Sequence, residues 1–87
     1  MYVILVYDCG EKRVAKMLKL CRKYLNWIQN SVFEGDISEV KLMELKNSAK
    51  NIMDTNTDSL IVFSSREHYW MQKEIVGKER SSTDIFL

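Results

Sequence analysis

The chain has 87 residues, 46% of them hydrophobic and 29% charged, with three glycines, no proline and a net charge of +1. That length makes one small domain, and that composition excludes a long disordered linker or a low-complexity tract. The overall charge does not point to a nucleic-acid partner, but residues 1–30 carry six basic side chains against Asp8 and Glu11, so positive charge is concentrated on one element.

Residues 2–9 read as a strand, with Tyr2, Ile4, Val6 and Asp8 on one face and Val3, Leu5, Tyr7 and Cys9 on the other. Both faces are apolar, so this is a central strand that needs a cover on each side. Asp8 closes the run, and an ionised carboxylate there is costly to desolvate unless something compensates it.

Residues 11–25 read as a helix whose apolar stripe is Val14, Met17, Leu18, Cys21 and Leu25. Lys12, Lys16, Lys19 and Lys23 repeat at the same spacing on the opposite side. Residues 26–35, NWIQNSVFEG, favour extended structure, either as one long strand or as two short ones about Asn30–Ser31. A second helix spans 38–53, capped by Ser38 or Asp36, with Leu42, Leu45, Ala49, Ile52 and Met53 as its buried stripe. DTNTD at 54–58 is a turn, and SLIVFSS at 59–65 is another strand apolar on both faces. Residues 69–76 are expected to pair back as a hairpin, and 83–87 form a short apolar tail.

The order describes an α+β fold, a ferredoxin-like sandwich with two helices on one face of an antiparallel sheet, in a single domain over 1–87. Two helices cover one sheet face only, so the other apolar face calls for a second copy in an isologous homodimer. The tail 83–87 is expected to dock on a sheet edge, that of the partner included. No run approaches the roughly eighteen apolar residues of a membrane span, and the apolar start lacks a basic leader. With only Cys9 and Cys21, neither a disulfide framework nor a zinc site is expected, which suits a reducing cytoplasm.

Asp8 has a structural reading, a helix N-cap, and a functional one, a metal ligand or general base at the end of a central strand. One carboxylate is little for Mg²⁺, which takes six oxygens but often only one or two carboxylates among them. In a two-fold dimer, two Asp8 side chains can share a cation near the axis. The lysine row is either a solvated face or a surface that tracks phosphates, with Arg13 placed to reach a phosphate beside Asp8. His68, in a polar turn, is more simply exposed than catalytic. Cys9 lacks a histidine partner at a recognisable spacing. Trp27, Phe33, Phe63 and Trp70 suit core or dimer packing better than base stacking.

YD at Tyr7–Asp8, KRVAK in the first helix, WIQNSVFEG, DSLIVF and EIVGKE occur in an order that resembles the Cas2 family of small CRISPR-associated adaptation proteins. The resemblance spans nearly the whole chain. It implies a ferredoxin-like homodimer with sheets facing each other and C-terminal strands exchanged. It also implies Mg²⁺-dependent cleavage of RNA or double-stranded DNA, with Asp8 as catalytic and metal-binding residue. A second implied role is to act as the scaffold of the CRISPR integrase complex that inserts new spacers. A non-catalytic DNA-binding scaffold is the alternative. A small regulatory domain that binds a metabolite is a third reading, weakened by the lack of a glycine-rich ligand loop.

Overall fold

Seven residues of alternating burial, Tyr2–Asp8, form β1, and the sheet is built around them. The computed structural model describes residues 1–66 and 73–81. After β1 come α1 (Glu11–Arg22), β2 (Asn26–Gln29), β3 (Val32–Asp36), α2 (Glu39–Ile52) and β4 (Ser59–Ser65). The strand order is β2-β3-β1-β4, with every neighbouring pair antiparallel. This is the expected α+β sandwich.

Register decides which side chains meet. Leu5 faces Phe33 on one side and Val62 on the other, while Ile4 faces Glu34 and Phe63. Residues in register share a sheet face, so Val3, Leu5, Tyr7, Phe33, Leu60 and Val62 lie beneath the helices. Val3, Leu5, Tyr7 and Phe33 are buried there with Met17, Leu20, Cys21, Leu42, Leu45 and Ala49 from the helices. Tyr7 and Phe33 stack with ring centroids 6.2 Å apart.

The helices differ from expectation in detail. α1 ends at Arg22, because Lys23, Tyr24 and Leu25 turn back, their N–H groups donating to the carbonyls of Leu20, Cys21 and Cys21. That turn buries Leu25 and starts β2 at Asn26. The stripe is also rotated: Met17, Leu20 and Cys21 are buried, whereas Val14 is 41% exposed and Leu18 half-buried. Two helices side by side must each face both the sheet and the other helix, and this moves the buried arc toward Leu20. In α2 the Ser38 hydroxyl accepts from the Lys41 N–H at 3.1 Å, so Ser38 is the N-cap, and Asp36 ends β3.

Residues 26–36 form two strands. Asn30 takes a left-handed backbone, φ 46°, between them, a conformation that asparagine tolerates better than most residues. The Trp27 indole N–H closes over this hairpin to the Asn30 carbonyl at 2.9 Å.

The second sheet face carries Tyr2, Ile4, Val6 and Asp8 from β1, with Ile61 and Phe63 from β4 standing 50% and 56% exposed. Residues 73–76, expected in a hairpin with β4, form no strand. They run with Val76 and Lys78 beside Tyr2, Ile4, Ile28 and Val32, bounding a hollow of about 550 Å³. Lys73 and the Tyr2 hydroxyl both donate to the Glu34 carboxylate, which fixes the start of this segment on the sheet. The other half of the expected hairpin, His68, Trp70 and the tail 83–87 lie outside the described residues. Among the described residues no helix is long and apolar enough to cross a membrane.

Replacing fully buried Phe33 with Ala should cost about 3–5 kcal/mol, because the cavity adds to the lost transfer energy. Val40→Ser, at a position 74% exposed on α2, should stay within about 0.5 kcal/mol. Urea unfolding of the two variants side by side checks the assignment of core and surface.

Candidate metal and nucleic-acid site

β1 delivers Asp8 to the edge of the open face. It pairs with Ser59, the first residue of β4, and its side chain is exposed. Asp8 does not cap α1: the N-cap is Gly10, with no side-chain cap, and the Arg13 N–H donates to the Gly10 carbonyl at 2.8 Å. The strand continues through Asp8, three residues before the helix begins. Asp8 borders a shallow hollow of about 310 Å³ with Tyr7, Cys9, Val14, Asn30 and Ser31. Asn30 and Ser31 come from the β2–β3 hairpin, which is held to β1 by the Tyr7 N–H donating to the Ser31 carbonyl at 3.2 Å. Sequence reading saw Asn30 and Ser31 only as a bend; their nearness to Asp8 follows from tertiary structure.

The set of groups around Asp8 fits a cation that keeps most of its waters better than one wrapped by protein. One chain supplies one carboxylate, and its neighbours are neutral oxygens, an amide and a thiol. Among the described residues no group of three or more His, Cys, Asp or Glu could hold a metal ion. Magnesium tolerates such sparse ligation. Among the described residues none adds a second carboxylate to this hollow.

The carboxylate that sequence reading missed is Asp58, at the end of the 54–58 turn, with its side chain 1% exposed. It is heavily satisfied. The Gly10 N–H donates to Oδ1 at 2.9 Å, Arg13 Nε to Oδ2 at 2.6 Å, Arg13 Nη2 to Oδ1 at 3.1 Å and the Asp54 N–H to Oδ2 at 2.9 Å. The Arg13 guanidinium, followed by the two backbone N–H donors, holds this carboxyl well below the usual carboxylate range, against the opposing effect of burial. The only sequence signal was an aspartate directly before an apolar strand, the same pattern reversed that Asp8 shows after one. The separation of 45 positions between Arg13 and Asp58 hides the pairing.

Arg13 therefore does not extend freely toward Asp8, as expected, but lies against Asp58. The lysines stand differently. Lys12, Lys16, Lys19 and Lys23 are all exposed along α1 and the turn after it. At the end of this row the Arg22 guanidinium sits 5.8 Å from the centre of the Trp27 ring. Cys9 and Cys21 are free thiols, the first half-buried and the second buried. Burial pushes both thiols up, Cys21 to about 12, and Asp58 adds to the effect at Cys9. A thiol held protonated is a poor nucleophile.

The depressed Asp58 value gives stability a pH dependence of definite sign. An unfolded aspartate titrates near pH 3.9, so the Asp58 contribution is complete above that range and is lost as pH falls from there through the lower, folded value. Asp58→Asn should be less stable than the parent at pH 7, and the gap should narrow as the pH is taken toward 3 and below. Thermal melts of both proteins over that range test this; a gap independent of pH would show that the charge of Asp58 is immaterial.

Comparison with known proteins agrees with this geometry. Residues 1–73 match the family described as CRISPR associated protein Cas2. The chain is 42% identical over 92 residues to the CRISPR-associated endoribonuclease Cas2 of Fusobacterium nucleatum, covering all of this chain and 87% of that protein. It is 41% identical over 87 residues to the protein of the same name from Dictyoglomus turgidum, covering both completely. Among solved structures, a Cas2 crystal structure superposes with a TM-score of 0.82 at 38% identity, over 95% of this chain and 93% of that one. Streptococcus pyogenes Cas2 at pH 6.5 superposes with a TM-score of 0.78 at 29% identity, over 88% of this chain and all of that one. With its β2-β3-β1-β4 sheet, its strand-end Asp8 and these likenesses over nearly its full length, the chain belongs to the Cas2 family of CRISPR-associated proteins.

Proposed function

We propose that the protein acts in CRISPR adaptation as a homodimer that binds duplex DNA, holds the integrase subunit, and hydrolyses phosphodiester bonds of RNA or double-stranded DNA with Mg²⁺ at Asp8. The observation that carries this reading is the position of Asp8. It stands on the same sheet face as exposed Ile61 and Phe63, the face that no helix covers. Opposing two such faces about a two-fold axis removes apolar surface from water and brings the two Asp8 carboxylates toward one another. The curated relatives are named endoribonucleases, which supports cleavage as the reaction class.

In this reading the side chains divide the work. Asp8 supplies the negative charge that holds the cation. When bound, Mg²⁺ supplies an activated water and positive charge at the phosphoryl oxygens. Asn30 and Ser31, at the rim of the Asp8 hollow, can donate to a phosphate. Lys12, Lys16, Lys19 and Lys23 hold the backbone of the nucleic acid by charge, without reading its sequence.

A scaffold that does not cleave is the second reading. It is favoured by the single carboxylate beside neutral neighbours, while the lysine row would serve a scaffold equally well.

Asp8→Asn separates the two readings. It keeps the side-chain shape and removes one charge per chain, so Mg²⁺-dependent cleavage of RNA and duplex DNA should fall at least about 100-fold, in line with the loss of an essential group. The dimer should persist, and at low Mg²⁺ it should tighten, because two facing carboxylates no longer repel. Cleavage unchanged in a dimeric Asp8→Asn protein would leave the scaffold reading alone, and integrase binding then becomes its assay.

The lysines and the open face have their own tests. Changing Lys12, Lys16, Lys19 and Lys23 together to Gln should weaken duplex binding and flatten its salt dependence by about 0.9 for each phosphate no longer neutralised. Equal salt slopes would make the row a solvated helix face. Phe63→Asp should convert the dimer to monomer, read by sedimentation, because it buries a charge in the proposed interface. A Phe63→Asp protein that sediments as a dimer would place the interface elsewhere.

A further inference from the structure

Arg13 lies in the first turn of α1, shortly after Asp8, and a basic residue there reads naturally as a hand for substrate phosphate. The geometry points elsewhere. We propose that Arg13 and Asp58 are a positioning pair that fixes the exit of β1, and with it the direction of the Asp8 carboxylate, and that Arg13 does not contact nucleic acid. The part of this that concerns Asp8 rests on the reading of Asp8 as the metal ligand; the part that concerns Arg13 does not.

Three observations carry it. First, Arg13 is committed. Its Nε and Nη2 both donate to Asp58, at 2.6 and 3.1 Å, in a two-pronged geometry that a lysine cannot copy. Drawing the guanidinium off toward a phosphate would leave a carboxylate whose side chain is 1% exposed without its counter-charge.

Second, the same carboxylate holds the backbone on both sides. Oδ1 accepts from the Gly10 N–H, two residues after Asp8, and Oδ2 accepts from the Asp54 N–H at the start of the turn. Asp58 itself directly precedes Ser59, the register partner of Asp8. A closed circuit therefore runs from Asp8 through Gly10 to Asp58, on to Ser59 and back across the ladder to Asp8. With both ends of the Asp8–Gly10 step pinned, the Cα–Cβ bond of Asp8 leaves the sheet in one direction.

Third, the space is built for the guanidinium. A Cβ on Gly10 would come within 2.5 Å of Arg13 Nη2 and 3.2 Å of its Cζ. Gly10 has an ordinary negative φ of −58°, so this is a demand for room and not for an unusual backbone.

The test compares Arg13→Gln, Arg13→Lys, Asp58→Asn and Asp8→Asn with the parent, all well below their melting temperatures. Duplex binding as a function of salt decides the role of Arg13. A phosphate contact predicts a slope reduced by about 0.9 in Arg13→Gln, and tighter binding in Asp58→Asn, where the guanidinium is released. The positioning pair predicts a parental slope in Arg13→Gln and Arg13→Lys, and no tighter binding in Asp58→Asn. A reduced slope in Arg13→Gln overturns the proposal.

Mn²⁺ binding, followed by electron paramagnetic resonance, decides the link to Asp8. Residues that orient a metal ligand typically cost about 10–100-fold in metal affinity when changed, so Arg13→Gln and Asp58→Asn should weaken Mn²⁺ by about tenfold while Arg13→Lys partly recovers it. Parental Mn²⁺ affinity in both variants, with Asp8→Asn abolishing binding, overturns the positioning of Asp8. If Asp8→Asn leaves Mn²⁺ binding and cleavage at parental levels, the reading of Asp8 as a ligand fails. The pair is then judged on the salt slope and on the Gly10 amide, whose hydrogen exchange should accelerate in Asp58→Asn under the proposal; an unchanged rate counts against it.

Discussion

Everything in this protein depends on β1 lying between two antiparallel partners. Because a strand alternates its side chains, pairing on both edges commits Val3, Leu5 and Tyr7 to the helices and Tyr2, Ile4, Val6 and Asp8 to the opposite face. A register slip of one residue would exchange the two sets and put Asp8 beneath α1 and α2. The identity of the core and the location of the Asp8 carboxylate are thus the same fact. The two apolar faces are then treated differently: one is sealed within the chain, and the other retains Ile61 and Phe63 at its surface.

That asymmetry bears on how a small protein divides its hydrophobic residues. A chain of this size has few with which to build one core. Here Phe33, Leu5 and Leu45 go to the helix side, fully buried, while comparable residues on β4 are held back. Residues 73–78 occupy part of the space above the open face and are anchored through Glu34, itself bonded to Tyr2 and Lys73. The open face accordingly has a polar, satisfied region near Glu34 and, among the described residues, an exposed apolar region along β4.

The fold was largely legible in the sequence, and the site only in part. Strand alternation over 2–8 and the periodicity of 39–52 reflect local geometry, so β1 and α2 could be read directly, with Ser38 one of two caps the sequence offers. Met17, Cys21 and Leu25 of the α1 stripe are buried as read, but Leu20 replaces Val14 and Leu18 because two helices share a sheet, a constraint that the periodicity of either helix alone does not contain. Asp8 stood out because a charge ending an apolar run is anomalous on its face. Asp58 did not, since an aspartate in DTNTD looks like any turn residue until the turn is seen against Gly10 and Arg13. Asn30 and Ser31 were hidden for the same reason: nothing in the hairpin sequence says which strand end it will border. The segment 73–76 was misread as strand because EIV has strand-like composition, whereas its backbone lies beside the sheet and does not join it.

The two helices begin in opposite ways. α2 carries its start signal with it, in the Ser38 hydroxyl three residues before Lys41. α1 has only Gly10 at that position and borrows its acceptor from a carboxylate 48 residues away. The turn at 54–58 is consequently not an ordinary surface connection. Such turns usually tolerate insertion and deletion, because nothing else depends on their length. This one holds the residue from which another helix starts, and adding or removing a residue between Asp54 and Asp58 would withdraw the acceptor from Gly10 and Arg13 together. For anyone lengthening loops or fusing a tag into this scaffold, a five-residue stretch that looks permissive on the surface is as fixed as the core.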